Sequence, residues 1–269
     1  MFTWSRLTVL VSLTLSAAAI HAGTIVAYVE APRVQSSSVP GITTETFDEP
    51  SLTIGNFRTP LSTVIGTYVA DANNAYAIIN ADQFGGAGGT GRYFAVGSPT
   101  GSGGAILLNL SSEANYFGFW WSAGDQFNSI TFLQNNTALA TFTTAQIVAL
   151  LPRGPGTATA INGTQYSAID YYGNPNSGSN PNEPYAYVDV LATGLQFNQV
   201  LISNPGNSGF ESDNHSVAAG VTSPPAGDVV VTTLQLTPAA SAPEPASCAL
   251  AMLGLGAILF GRRRVVRRT

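Results

Sequence analysis

Eleven short runs of apolar and β-branched residues, each closed by Gly, Asn, Pro or Ser, follow one another along most of this chain. They include TIVAYVE (24–30), STVIGTYVA (62–70), AYAIIN (75–80), RYFAVG (92–97), AILLNL (105–110) and ANYFGFWWSA (114–123). NSITFLQ (128–134), TALATFT (137–143), AYVDVLA (186–192), QFNQVLIS (196–203) and DVVVTTLQL (228–236) complete the set. Runs of this length are strands, and turn residues every few positions leave no room for crossover helices between parallel strands. The expected fold is all-β: an antiparallel β-sandwich, jelly-roll-like, with one short helix. That helix falls in TTAQIVALL (143–151), where a capping Thr precedes an apolar helical run and Pro152 ends it. Just before it, Asn135-Asn136 suits a tight hairpin turn, since asparagine tolerates the left-handed backbone.

Charge narrows the partners. Charged residues are 9% of the chain, against about a quarter in ordinary globular proteins. There is no lysine, and residues 23–240 hold four arginines against 14 acidic residues, a net charge of −10. Such a surface repels phosphate backbones, so nucleic acid is not an expected partner. Divalent cations and neutral polymers suit it better. Cys248, the single cysteine, lies near the C-terminus, which removes disulfides, thiolate metal sites and thiol nucleophiles from the body.

The two ends carry export signals. Residues 1–22 place Arg6 before an apolar run and finish on small residues, the layout of a secretory signal peptide cleaved after Ala22. At the other end, Pro243, Glu244 and Pro245 precede an apolar segment, 248–261, and then Arg262, Arg263, Arg264, Arg267 and Arg268. Fourteen residues make a helix of about 21 Å, short for a hydrocarbon core of about 30 Å. The terminal arginines nonetheless favour a membrane helix, because cytoplasmic positive charge fixes the orientation of a last span. The body, 23–240, then faces away from the cytoplasm.

This tail (241–269) resembles the PEP-CTERM sorting domain in its Pro-Glu-Pro motif, short hydrophobic helix and terminal arginine cluster. The resemblance implies an exosortase, a membrane-embedded protease, as partner. It also implies Sec export, transient anchoring of the precursor in the inner membrane, and delivery to the surface of a bacterium that makes exopolysaccharide. Cys248 departs from the small or aliphatic residue expected beside the motif. Within the body, residues 116–143 resemble the domains of other PEP-CTERM surface proteins, and GFESDNHSV (209–217) resembles a strand of bacterial jelly rolls. Neither brings an activity.

Three chemistries are open to the body. Glu211 and Asp213, two apart on a strand, share a face, and Glu45 and Asp48, with Glu49, form a second acidic group. If the ends of the domain lie side by side, these residues converge as oxygen ligands for Ca²⁺, with Asn214 beside them. Solvated carboxylates at strand ends are the plainer reading. In ANYFGFWW, alternation sets Tyr116, Gly118 and Trp120 on one face and Phe117, Phe119 and Trp121 on the other. Exposed, Tyr116 and Trp120 would stack on sugar rings; covered, they are core. Catalysis has little to work with. His215 is the one imidazole left after signal cleavage, and no nucleophile elbow is present. The expectation is a non-enzymatic surface or matrix protein. An exopolysaccharide-binding module is the alternative, and a glycan-active hydrolase is less favoured.

Overall fold

The structure, a computed structural model, describes residues 23–97, 100, 104–206 and 208–236. The first strand is β1 (Thr24–Val29), followed by three short ones, β2 (Thr43–Glu45), β3 (Gly55–Phe57) and β4 (Leu61–Ser62). Then come β5 (Gly66–Ala70), β6 (Tyr76–Asn80), β7 (Arg92–Gly97), β8 (Gly104–Ala114) and β9 (Tyr116–Ser122). The hairpin of β10 (Ser129–Gln134) and β11 (Thr137–Thr143) runs into the helix α1 (Ala145–Leu150). A small hairpin, β12 (Thr157–Thr159) and β13 (Gln165–Ser167), precedes β14 (Ala186–Thr193), β15 (Phe197–Asn204), β16 (Gly209–Ala218) and β17 (Val229–Leu234).

The larger sheet runs β17-β1-β14-β9-β16-β7-β6-β3, with β2 added to β16. The second sheet runs β11-β10-β15-β8-β5-β4. From β7 to β10 and again from β14 to β16, successive strands alternate between the two: β7, β9, β14 and β16 lie in the first, β8, β10 and β15 in the second. The paired strands of both sheets are antiparallel. Their inner faces share one buried cluster, in which Phe117, Phe119, Trp121, Val188 and Val190 meet Ile106, Leu108, Phe132, Val200 and Ile202. The Phe117 and Phe132 rings, 6.2 Å apart and edge to face, bridge the two layers. Each such side chain contributes roughly 1.5–3 kcal/mol on leaving water, so this layer holds the sandwich together.

Local sequence explains the connections. Asn135 and Asn136 have φ of 50° and 64°, and the turn they form closes the β10–β11 hairpin with Gln134 opposite Thr137. At α1 the capping is reciprocal in another sense than expected. Thr144 sits at the helix start, but its hydroxyl donates outward to the carbonyl of Asp125 at 2.6 Å, tying the helix to the loop after β9. Gln146 Oε1 turns back to accept the Thr143 amide at 3.0 Å.

β9 is buried on both sides. Its outer face is roofed by two segments. Val39 and Ile42 of the β1–β2 connection cover Tyr116, Tyr28 and Leu191. Tyr185 and Ala87 cover Trp120 and Tyr187. Gly118 makes this possible, since a Cβ there would collide with the Tyr116 hydroxyl and press on that of Tyr187. Among the described residues no helix is long and apolar enough to cross a membrane. The leader 1–22, the segment 248–261 and the terminal arginines lie outside the described residues.

Candidate functional site

β16 builds the site because its face changes part-way along. Phe210 points into the core and Glu211 and Asp213 point outward, as a spacing of two requires. Asn214 then adopts φ 48°, and the register with β9 shifts between Asp213 and Ser216. This bulge turns His215 inward, where simple alternation would leave it outside. Its ring lies among Phe47, Tyr68, Phe94 and Phe117, with centroids 5.1–5.8 Å away. Tyr68 Oη stands 2.7 Å from Nδ1 and Ser212 Oγ 2.9 Å from Nε2. Burial lowers the imidazole pKa to about 3, so the ring is neutral.

Glu211 opens onto a cleft of about 420 Å³, whose lining includes Asp82, Phe84, Tyr93, Asp125 and Glu183. Asp82 and Asp125 also shape their loops: Asp82 Oδ1 accepts the Phe84 and Gly85 amides and the Tyr93 hydroxyl, and Asp125 Oδ1 accepts the Phe127 amide. Glu183 has a buried Oε2 without a hydrogen-bond partner, and burial raises its pKa. Glu211 folds back over Gly209, where a Cβ would collide with its Oε1. Burial pushes the Glu211 carboxyl up to about 8, and the charges of Asp125, Glu183 and Asp82 push the same way. Phe84 stands at the rim with 39% of its surface exposed. Carboxyl oxygens beside an exposed ring can bind hydroxyl-rich or cationic ligands, the polar groups fixing orientation and the ring supplying contact area.

The four acidic residues singled out from sequence separate into two neighbourhoods. Glu211 faces the cleft. Asp213 accepts the amides of Ala87 and Asn214, both at 2.7 Å. Its pKa rises to about 8, first through burial and then through the charges of Asp48 and Glu45. Glu45, opposite His215 on β2, spends Oε1 on the Phe47 amide at 2.7 Å. Asp48 accepts the Arg92 amide at 2.7 Å. Among the described residues, the carboxylates that gather within 4.8 Å of one another are a different trio, Glu30, Asp189 and Asp228.

Tyr116 and Trp120 are each 1% exposed, and Trp121 is fully buried. Stacking on sugar rings is therefore unavailable to Tyr116 and Trp120 as folded, because the roofing segments occupy the face that alternation assigned to them. An exposed aromatic does line the cleft, Phe84, within the Gly-rich stretch 84–91. Nothing in its spacing marks it, nor Asp82, Asp125 and Glu183, which reach the cleft from separate loops.

Pro243, Glu244, Pro245 and the five terminal arginines lie outside the described residues, and the comparison with known families decides what they are. Residues 241–268 match the family model of the PEP-CTERM protein-sorting motif. The chain carries a PEP-CTERM motif. This supports its standing as an exosortase substrate, a surface protein with a membrane-anchored precursor. The matched stretch contains every residue of the Pro-Glu-Pro element and the arginine cluster through Arg268. No curated protein matches the chain.

Proposed function

We propose that this chain is an exported surface or extracellular-matrix protein whose sandwich has a non-catalytic, structural or adhesive role. The observation that carries the proposal is the PEP-CTERM motif at 241–268, placed after an antiparallel β-sandwich. In this reading residues 1–22 direct Sec export, and 248–261 with the arginines hold the precursor in the inner membrane. The exosortase then acts at Pro243–Pro245 on the far side. The alternation of successive strands between two sheets supports the jelly-roll-like description. The non-catalytic role is supported by His215, whose neutral ring is enclosed by aromatic side chains on the core side of β16. The C-terminal mass of the mature protein, from cells with and without the exosortase, is the test. Loss of residues beyond the motif in the first and their retention in the second is expected. A full-length C-terminus in both would overturn processing.

A second reading, binding of exopolysaccharide, is favoured by Phe84 beside the carboxyl groups of the cleft. Aromatic faces and acidic hydroxyl acceptors together recognise sugars. In affinity gels cast with polysaccharide from the producing cells, the full chain is expected to migrate more slowly than in plain gels. Phe84→Ala should remove most of that retardation. Equal mobility of the full chain in both gels would sink this reading. Release of reducing ends from the polysaccharide would overturn the non-catalytic role.

A further inference from the structure

The three carboxylates Glu30, Asp189 and Asp228 come together through strand register. β1 lies between β17 and β14, with Tyr28 opposite Asp189 on one side and Val29 opposite Val229 on the other. Glu30 follows one step beyond, on the same face as Tyr28, and Asp228 precedes Val229 at the entry to β17. All three side chains therefore lie on the outer face, beneath the β1–β2 connection that also covers Tyr116. They are 4%, 1% and 0% exposed. One oxygen from each lies within 4.8 Å of the others.

The oxygens have uneven partners. Glu30 Oε1 accepts the Ser38 amide at 2.6 Å, and Asp189 Oδ1 accepts the Tyr116 hydroxyl. Asp189 Oδ2 and both oxygens of Asp228 are buried with no hydrogen-bond partner. A buried carboxylate without a partner is among the costliest groups a fold can hold, and three together repel one another as well. Two of the body's four arginines are engaged elsewhere: Arg58 donates to the carbonyl of Ala72 and Arg92 to that of Glu49.

We propose that Glu30, Asp189 and Asp228 form a binding site for a hard divalent cation, Ca²⁺ being the first choice. Oxygens that share one Ca²⁺ at 2.3–2.6 Å lie at most about 5 Å apart, which is the spacing these residues already have. Asp228, with two orphaned oxygens, binds through both. Asp189 contributes Oδ2 and Glu30 the oxygen not committed to Ser38, and water fills the remaining positions, as hard cations accept. The ion offsets two of the trio's three negative charges and clamps the first strand of the domain, β1, between β14 and the last strand, β17. None of the acidic residues of the cleft takes part, so the site is independent of any glycan there.

The test uses the full chain purified in detergent and stripped with EDTA. Adding millimolar CaCl₂ is expected to raise the thermal midpoint by about 5–10 °C, as saturating ligand does for a domain of this size. Asp228→Asn and Asp189→Asn should abolish the shift while leaving the EDTA-treated protein at least as stable as the parent. Should either variant fail to fold, Tb³⁺ bound to the parent reports directly. Its luminescence should be sensitised by the adjoining Tyr116 and displaced by Ca²⁺. A response to Mg²⁺ or Mn²⁺ in place of Ca²⁺ keeps the site and changes its ion. The absence of both a midpoint shift with any of these ions and sensitised Tb³⁺ luminescence would overturn the proposal, as would an undiminished shift in both variants.

Discussion

In chelator, the protein is expected to become less stable as pH rises from 5 to 9, by about 4 kcal/mol in urea unfolding. Glu211 and Asp213 supply that amount, and Asp189 and Asp228, which burial raises to about 7 and about 9, push in the same direction. Glu211 and Asp213 both have folded pKa values of about 8, raised chiefly by burial, from ordinary values of 4.5 and 3.8. Between these limits the folded chain keeps two protons that the unfolded chain has released. The contribution of these two groups must then fall with rising pH and level off above about 8. Each pKa unit corresponds to 1.36 kcal/mol; allowing for solvent relaxation at the cleft gives about 2 kcal/mol per group. Glu211→Gln removes a titrating group while keeping its shape. It should gain about 2 kcal/mol over the parent at pH 9 and almost nothing at pH 5. Asp213→Asn should gain less, because the carboxylate accepts two amides, from Ala87 and Asn214. A flat profile, or one that rises toward pH 9, would exclude this electrostatic arrangement.

The long strands were legible because alternation and length speak for themselves. β9 reads from YFGFWWS and β14 from AYVDVLA, and the Asn-Asn turn of the β10–β11 hairpin stands where its φ values require. The short strands were not legible. TTE, GNF, LS, TAT and QYS have two or three residues and no apolar period; the first three form strands because longer neighbours offer them hydrogen bonds, and TAT and QYS pair with each other. STVIGTYVA reads as one run, yet its strand begins at Gly66, whose φ of 155° follows the β4–β5 turn.

The candidate sites were legible in part, for related reasons. Burial on both sides of β9 follows from its two-faced apolarity, but which segment does the covering depends on loops without periodicity. The first and last strands do lie side by side, and they bring acidic residues together. Those residues are Glu30 and Asp228, at the ends of β1 and β17, joined by Asp189. The usable signal was Asp189 itself, a charge centred in the apolar run of β14, where a strand buried on both faces ordinarily has none. The inward turn of His215 rests on one left-handed residue, Asn214, which no pattern around it announces.

His215 provides the second large effect. His215→Phe retains most of the volume but takes partners from the Tyr68 hydroxyl and from Ser212 Oγ, in a setting where His215 is fully buried. Leaving two buried hydroxyls unsatisfied costs about 2–4 kcal/mol in urea unfolding at pH 7. Replacing all members of the network by apolar groups is far gentler than removing one. The triple variant His215→Phe, Tyr68→Phe, Ser212→Ala should therefore recover most of the loss. A single variant as stable as the parent, or a triple variant worse than the single, would show that packing alone holds the ring. Acid separates the two contributions further. The folded pKa of about 3 lies below the ordinary 6.5, so the unfolded chain alone gains this proton as pH falls from 6.5 toward 3. The stabilising contribution of this one group falls across that window in the parent, and His215→Phe has no such contribution to lose. The penalty measured at pH 7 should shrink by about 2 kcal/mol at pH 4, a change that a purely steric defect would not produce.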